Sequence, residues 1–468
     1  MKRLLFLFFI LTAAISLHAQ DIVGQWNGAL KVQGIQLRIV FHITKTESGY
    51  SATMDSPDQQ AKGIPVSSVT FNNSEIKLKV ESLKIEYSGL YKDEEIIGTF
   101  KQGLFQSPMN LSKEIIAGAK LKRPQEPKKP YPYYTEEVSF QNPKAKKIKL
   151  SGTLSLPQKE GNYPAVVMIT GSGAQNRDEE IFGHKPFLII ADHLTKNGIA
   201  VLRYDDRGYG ESEGNFANAT TADFATDVES AIAYLQTRKE INRNKIGLIG
   251  HSEGGVIAPM VAAKSNDVSF IVLLAGTGVR GDKLLLSQQE AIAKAMGFSE
   301  AEFKKAADLN REVYKMIEKS ENDDQKLRKD LTNKINEALN NGLDLQLSQS
   351  GMTQEEYVSI QVNQVISPWT RYFLKLDPAD ALVKVKCPVL ALNGEKDLQV
   401  PFTENLAAIE NALNKGGNKQ VTTIAFPDLN HLFQKCSTGL MNEYGEIEQT
   451  IEPKVLDGIT KWIKTQTK

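Results

Sequence analysis

Residues 245–249 form an apolar run that ends in Gly250-His251-Ser252-Glu253-Gly254, and a helical stretch over 256–263 comes directly after it. Few folds accommodate that junction. A strand must reverse into a helix within a handful of residues, and flanking glycines remove the Cβ atoms that would clash in so sharp a turn. The serine is left at the tip of a central strand with its hydroxyl exposed. The next helix directs its unpaired N–H groups and positive dipole end to the place where an oxyanion would form. Strand, Gly-x-Ser-x-Gly and helix together make a nucleophile elbow, which predicts serine hydrolase chemistry on an α/β sheet.

A nucleophilic serine needs a base and an acid to orient it. The chain has six histidines, and only His431 comes after Ser252. Asp397, in Asn393-Gly394-Glu395-Lys396-Asp397, leaves the predicted strand 388–392. The order Ser252, Asp397, His431 is one in which this constellation recurs. Asp428 reads as a turn residue, while Glu395 stays open as a rival to Asp397. For the oxyanion hole, the expected donors are the N–H of Glu253 and those of Ser172 and Gly173, just after the predicted strand 165–170. A second match, Gly210-Glu211-Ser212-Glu213-Gly214, leads into polar residues rather than a helix and reads as a loop.

Lysine plus arginine equals aspartate plus glutamate, 56 each. That balance gives no reason to expect nucleic acid or an anionic surface as partner. Residues 1–19 read as a signal peptide: Lys2 and Arg3, an apolar run over 4–17, and a small residue, Ala19, at the cleavage position. The run is shorter than the ~20 residues of a spanning helix, so export to the periplasm or medium, without stable membrane insertion after cleavage, is expected. Cys387 and Cys436 lie at opposite ends of the expected active-site strand, roughly 20 Å apart at ~3.3 Å per residue. They are expected to be free, buried thiols.

Residues 20–115 show short alternating segments at 36–43, 66–71, 75–80, 84–87 and 96–100, separated by turn residues, which predicts a small β-barrel or sandwich. Residues 116–133 carry Pro124, Pro127, Pro130 and Pro132 among lysines and read as an extended, semi-rigid linker. From 134 to 468, apolar runs at 148–156, 165–170, 200–204, 245–249, 270–275, 388–392 and 421–426 alternate with helical stretches. That pattern predicts a mainly parallel sheet covered on both faces. Residues 280–375 interrupt it with charged amphipathic helix, as at 300–319 and 323–339. Long insertions in compact domains are usually functional, and this one is expected to be a lid.

Four blocks occur in order: residues 171–179, residues 203–210, Ser367-Pro368-Trp369, and residues 393–397. Together they resemble bacterial α/β-hydrolase esterases related to the serine aminopeptidase and prolyl-oligopeptidase branch. The resemblance covers residues 134–468. It implies the α/β-hydrolase fold, hydrolysis of small carboxylic esters without metal or cofactor, and a triad on Ser252, Asp397 and His431. The chain departs from the peptidases of that branch, since a front segment of about 95 residues is too short for a β-propeller at ~40–50 residues per blade. Two other readings stand beside the carboxylesterase: a peptidase or amidase with the same triad, and a binding protein whose β-domain captures a ligand. The charges in 177–179 and 205–207 are expected to pin loops rather than bind substrate. The acyl and alcohol groups and the oligomeric state are left open.

Overall fold

The computed structural model describes residues 22–32, 35–47, 49–59, 61–103, 105–116, 122–320, 324–343 and 353–468. The expected signal peptide, five linker residues (117–121) and parts of the insertion (321–323 and 344–352) lie outside them. The described residues fall into two compact units, one within residues 22–116 and one from residue 122 onward, with Ile35 grouped with the second. Among the described residues no helix is long and apolar enough to cross a membrane.

The first unit is all β. One sheet runs Gly24–Val32, Ile35–Thr46, Gly49–Ser56, Ala61–Pro65, and the other Ser68–Asn72, Glu75–Val80, Ile85–Lys92, Glu95–Gln102, Phe105–Pro108. Strand Glu75–Val80 shows why: Ile76, Leu78 and Val80 are buried while the residues between them are exposed, a period of two that fits one wet and one dry face. Both sheets contribute to one core around Trp26, Phe41, Met54, Tyr87 and Phe100. Leu111 and Ser112 then bridge to Ile96 and Asn27, linking the end of the meander to its beginning.

The second unit is an eight-stranded sheet in the order Tyr134–Asn142, Ile148–Leu156, Ala200–Tyr204, Tyr163–Ile169, Ile241–His251, Phe270–Leu274, Val389–Gly394, Val421–Phe426. The first two pairings are antiparallel and the rest parallel. Neighbouring residues serve opposite faces. Val167, Leu202, Leu248 and Leu273 join one core with helices Thr221–Thr237, Gly254–Ala262 and Phe402–Lys415. Val166, Val201, Ile249 and Val272 join another with Pro186–Lys196 and Pro453–Gln466. Burial on both faces is what makes these strands read as continuous apolar runs.

Residues 122–133, expected as a spacer, are fastened to this unit. The Arg123 guanidinium donates to the carbonyls of Phe182, Gly183, Gly445 and Ile447, and Gln125 bonds the backbone of Thr450 and Ile451. The insertion lies between Phe270–Leu274 and Val389–Gly394. Its helices Gly281–Ala295, Glu300–Lys319, Asp324–Asn340 and Gln354–Val365 bury a core of their own, including Leu309, Val313, Ile317, Leu331 and Val358. The spacing 309, 313, 317 is a single helical stripe. Both cysteines are free and only half-buried, so the expectation of buried thiols is corrected: Cys387 lies just before strand Val389–Gly394 and Cys436 in the loop that follows Val421–Phe426.

Candidate active site

Strand Ile241–His251 is flanked on both sides by parallel partners, and the chain leaves it at Ser252 with φ +53°. That left-handed value is rare for a residue with a side chain, and it is what turns the strand back into helix Gly254–Ala262. The glycines are needed for close approach. A Cβ on Gly250 would lie 2.0 Å from the Gly254 carbonyl oxygen, and one on Gly254 would lie 2.2 Å from that of Ile169. The Ser252 N–H donates to the Leu274 carbonyl at 2.8 Å, anchoring the turn to the adjacent strand.

Asp397 lies just past strand Val389–Gly394 and is buried. Its Oδ1 accepts the N–H groups of Gln399 and Val400 at 2.8 and 2.9 Å. Its Oδ2 lies 2.8 Å from His431 Nδ1. The donor there is Nδ1–H, which leaves Nε2 as the basic nitrogen. The His431 loop is set by Asn430, whose Oδ1 accepts the N–H of Leu432 and of Gln434 at 3.0 and 2.9 Å. Glu395 is exposed, and Asp428 pairs outward with Lys396 at 2.9 Å. Asp397 is therefore the carboxylate that reaches the histidine.

Among the described residues Ser252 Oγ makes no hydrogen bond, so the contact to His431 is not closed here. Such contacts are often long until substrate binds. The Glu253 N–H likewise has no acceptor among the described residues, nor do those of Ser172 and Gly173. The Gly171 N–H is committed to Glu179 Oε1 at 2.7 Å. A Cβ on Gly171 would sit 3.2 Å from Ser252 Cβ, so the loop that begins at Gly171 runs alongside the serine.

The charges around this loop hold it in place, as expected. Arg177 pairs with Asp205 and Glu211, Arg203 with Asp178, and Arg207 with Asp227. Asp206 accepts from Thr170 Oγ1 at 2.7 Å and from the Gln175 N–H at 2.8 Å, so it clamps both ends of the loop. Ser212 is a structural hydroxyl, donating to the Asp205 carbonyl at 2.7 Å and accepting the Ser151 N–H at 2.9 Å.

Burial pushes the Asp206 carboxyl up to about 8. The folded state then keeps a proton that the unfolded chain releases near 3.8, so this group's contribution to stability is lost as pH rises from there toward 8. Thermal melts of wild type from pH 5 to 8.5 should show a falling midpoint, and Asp206→Asn should flatten that fall. Equal slopes in the two proteins would refute the assignment.

Three contacts were not legible in sequence. Trp369 Nε1 donates to Glu253 Oε1 at 2.8 Å, and Thr221 Oγ1 donates to the same oxygen at 2.6 Å. His251 Nδ1 lies 2.9 Å from Glu179 Oε1. Ser367-Pro368-Trp369 carries a family likeness, but nothing in the spacing ties Trp369 to the elbow.

Residues 186–343 match the family model described as serine aminopeptidase, S33, a stretch that includes Ser252 and ends before Asp397. The chain is similar to Esterase EstD of Thermotoga maritima, 24% identical over 371 residues, which cover 78% of this chain and 77% of the relative. It is 34% identical over 128 residues to Thiohydrolase aneE of Aspergillus aculeatus, covering 27% and 37% of the two chains. Among solved structures, the Pyrococcus furiosus esterase PF2001 aligns over 75% of this chain and 96% of its own at TM-score 0.45 and 14% identity.

Proposed function

We propose that this chain, an α/β-hydrolase related to esterases, is a serine carboxylesterase acting on small esters through Ser252, Asp397 and His431. The observation that carries the reading is the 2.8 Å bond from buried Asp397 to His431 Nδ1, formed beside an elbow whose serine is held at positive φ. His431 Nε2 takes the Ser252 proton as Oγ attacks the ester carbonyl. The oxyanion is received by the Glu253 N–H and by an N–H of Ser172 or Gly173, donors that have no other partner among the described residues. His431 passes the proton to the departing alcohol, and an acyl-Ser252 ester remains. Water, deprotonated by His431, then attacks that ester and releases the acid and the free serine.

The insertion supports a role in shaping this site rather than a decorative one. Its helix Pro368–Phe373 carries Trp369, which contacts the residue after the nucleophile and also lines a cavity of about 800 Å³ among the insertion's helices. Phe303, Tyr314, Tyr357 and several glutamines line the same cavity, a mixture suited to an acyl or alcohol group with some polarity. Trp369→Phe keeps the ring stacked on Phe373, 4.9 Å away, and removes only the N–H. A hydrogen bond to a buried acid is worth enough to lower kcat/KM roughly tenfold. An unchanged kcat/KM would separate the insertion from the elbow.

A panel of p-nitrophenyl acetate and butyrate against aminoacyl p-nitroanilides, with fluorophosphonate labelling of the same samples, tests the function. Ester turnover with labelling and slow anilide cleavage is expected. Efficient anilide cleavage would make the chain a peptidase or amidase, and a folded protein that neither labels nor turns over ester would refute the reading. The basic start and apolar run of residues 1–19 support export, with a periplasmic or extracellular site of action.

A further inference from the structure

His251 stands inside the elbow, next to the serine, and both of its ring nitrogens are engaged. Nδ1 lies 2.9 Å from Glu179 Oε1 and Nε2 lies 3.1 Å from the His431 carbonyl oxygen. A carbonyl oxygen only accepts, and an ionised carboxylate only accepts. A neutral imidazole has one N–H, so one of these contacts would set a lone pair against an oxygen. Two N–H groups satisfy both. The same Glu179 oxygen also accepts the Gly171 N–H at 2.7 Å.

The pair is enclosed. His251 and Glu179 are buried, and Pro186, Phe187, Ile190, Leu274 and Phe433 wall the space beside them. The titratable groups nearest the pair are Asp397, whose charge favours the His251 imidazolium, and Asp206, whose carboxyl the Glu179 charge helps to keep protonated. The His431 ring lies 4.7 Å from that of His251, centroid to centroid. Burial alone would lower the His251 titration; the Glu179 charge and the two hydrogen bonds outweigh it and leave the imidazole above its ordinary value.

We propose that His251 is a positioning residue held as an imidazolium by Glu179, and that this buried ion pair sets the spacing of the three parts of the catalytic centre. Through Glu179 it holds the loop that begins at Gly171. Through its own backbone it holds the elbow, and through Nε2 it holds the backbone of the base. With both nitrogens occupied, His251 takes no proton from Ser252. Its work is geometric, and misplacement of reacting groups by about 1 Å costs on the order of a hundredfold in rate.

The proposal rests on the esterase reading for its kinetic arm and is independent of it for its spectroscopic arm. Nitrogen-detected NMR of the wild-type histidine rings, assigned with His251→Gln, should show His251 with both ring nitrogens protonated at pH 6.5 and keeping that state to a higher pH than an ordinary histidine. A neutral tautomer at pH 6.5 would overturn the proposal whatever the substrate. With p-nitrophenyl acetate, Glu179→Gln and His251→Gln should each lower kcat about 10- to 100-fold with KM within about twofold. The double variant should be no worse than the worse single one, because the residues act as one unit. Folded variants with wild-type kcat would overturn the positioning role. Wild type that shows the imidazolium but neither labels with fluorophosphonate nor cleaves esters would overturn the esterase reading and leave the ion pair standing.

Discussion

Replacing Ser252 by alanine is expected to lower ester turnover by about four to six orders of magnitude, with the melting temperature essentially unchanged. The rate loss comes from removing the nucleophile, after which only oxyanion binding and substrate positioning remain, worth roughly 10³-fold over water. The unchanged stability comes from the surroundings of the side chain. Ser252 Oγ makes no hydrogen bond among the described residues, so its removal strands no buried partner. Alanine at φ +53° is no worse placed than serine, and the backbone bond to Leu274 survives. The measurement is kcat on p-nitrophenyl butyrate beside a thermal melt and fluorophosphonate labelling. A variant retaining a tenth of the wild-type rate would end the assignment of Ser252.

Asp397→Asn should cost about 10⁴-fold in kcat, the size found when the carboxylate of such a triad becomes an amide. The asparagine oxygen can still accept the N–H groups of Gln399 and Val400, as Asp397 Oδ1 does, so the turn persists. Its NH₂ group would then face His431 Nδ1 in place of the accepting oxygen now 2.8 Å away. The imidazole must move its proton to Nε2, the nitrogen that has to be basic. Glu395→Gln is the companion variant. Glu395 is exposed, and its replacement is expected to leave kcat within about twofold, as surface changes away from a site usually do. A large loss in Glu395→Gln with activity kept in Asp397→Asn would exchange their roles.

The elbow was legible because it depends on local chemistry, a glycine-flanked turn between a strand and a helix. Strands buried on both faces leave apolar runs, as at Ala200–Tyr204, and expected and observed bounds agree there and at Ile148–Leu156 and Val421–Phe426. The edge strand Tyr134–Asn142 leaves no such trace: it pairs on one side only, and its polar residues hide the alternation. Strand Gly49–Ser56 is hidden for a related reason, since two of its buried residues, Ala52 and Ser56, are small. The decoy Ser212 was recognisable by the polar residues 215–221, which stand where an elbow would continue into a helix. The side chains that brace the site were not legible, because Glu179 and His251 are 72 residues apart and Trp369 and Glu253 are 116. No local pattern connects such pairs; only the folded sheet brings them together.

The insertion also has a consequence for how the enzyme comes into being. Strands Phe270–Leu274 and Val389–Gly394 pair directly, Ile271 with Val389 through Leu274 with Leu392. Yet on the order of a hundred residues of chain must be looped out before they meet, at an entropic cost that grows only slowly with length. Such non-local pairings form late relative to local ones. On the ribosome, Ser252 and its elbow emerge well before Asp397 and His431 exist. With the proposed triad, a nascent chain would carry its nucleophile without a base to arm it, and would become reactive only when the last two parallel strands close. Activity during synthesis should thus report completion of the sheet, and a pause or truncation within the insertion should yield a chemically silent intermediate.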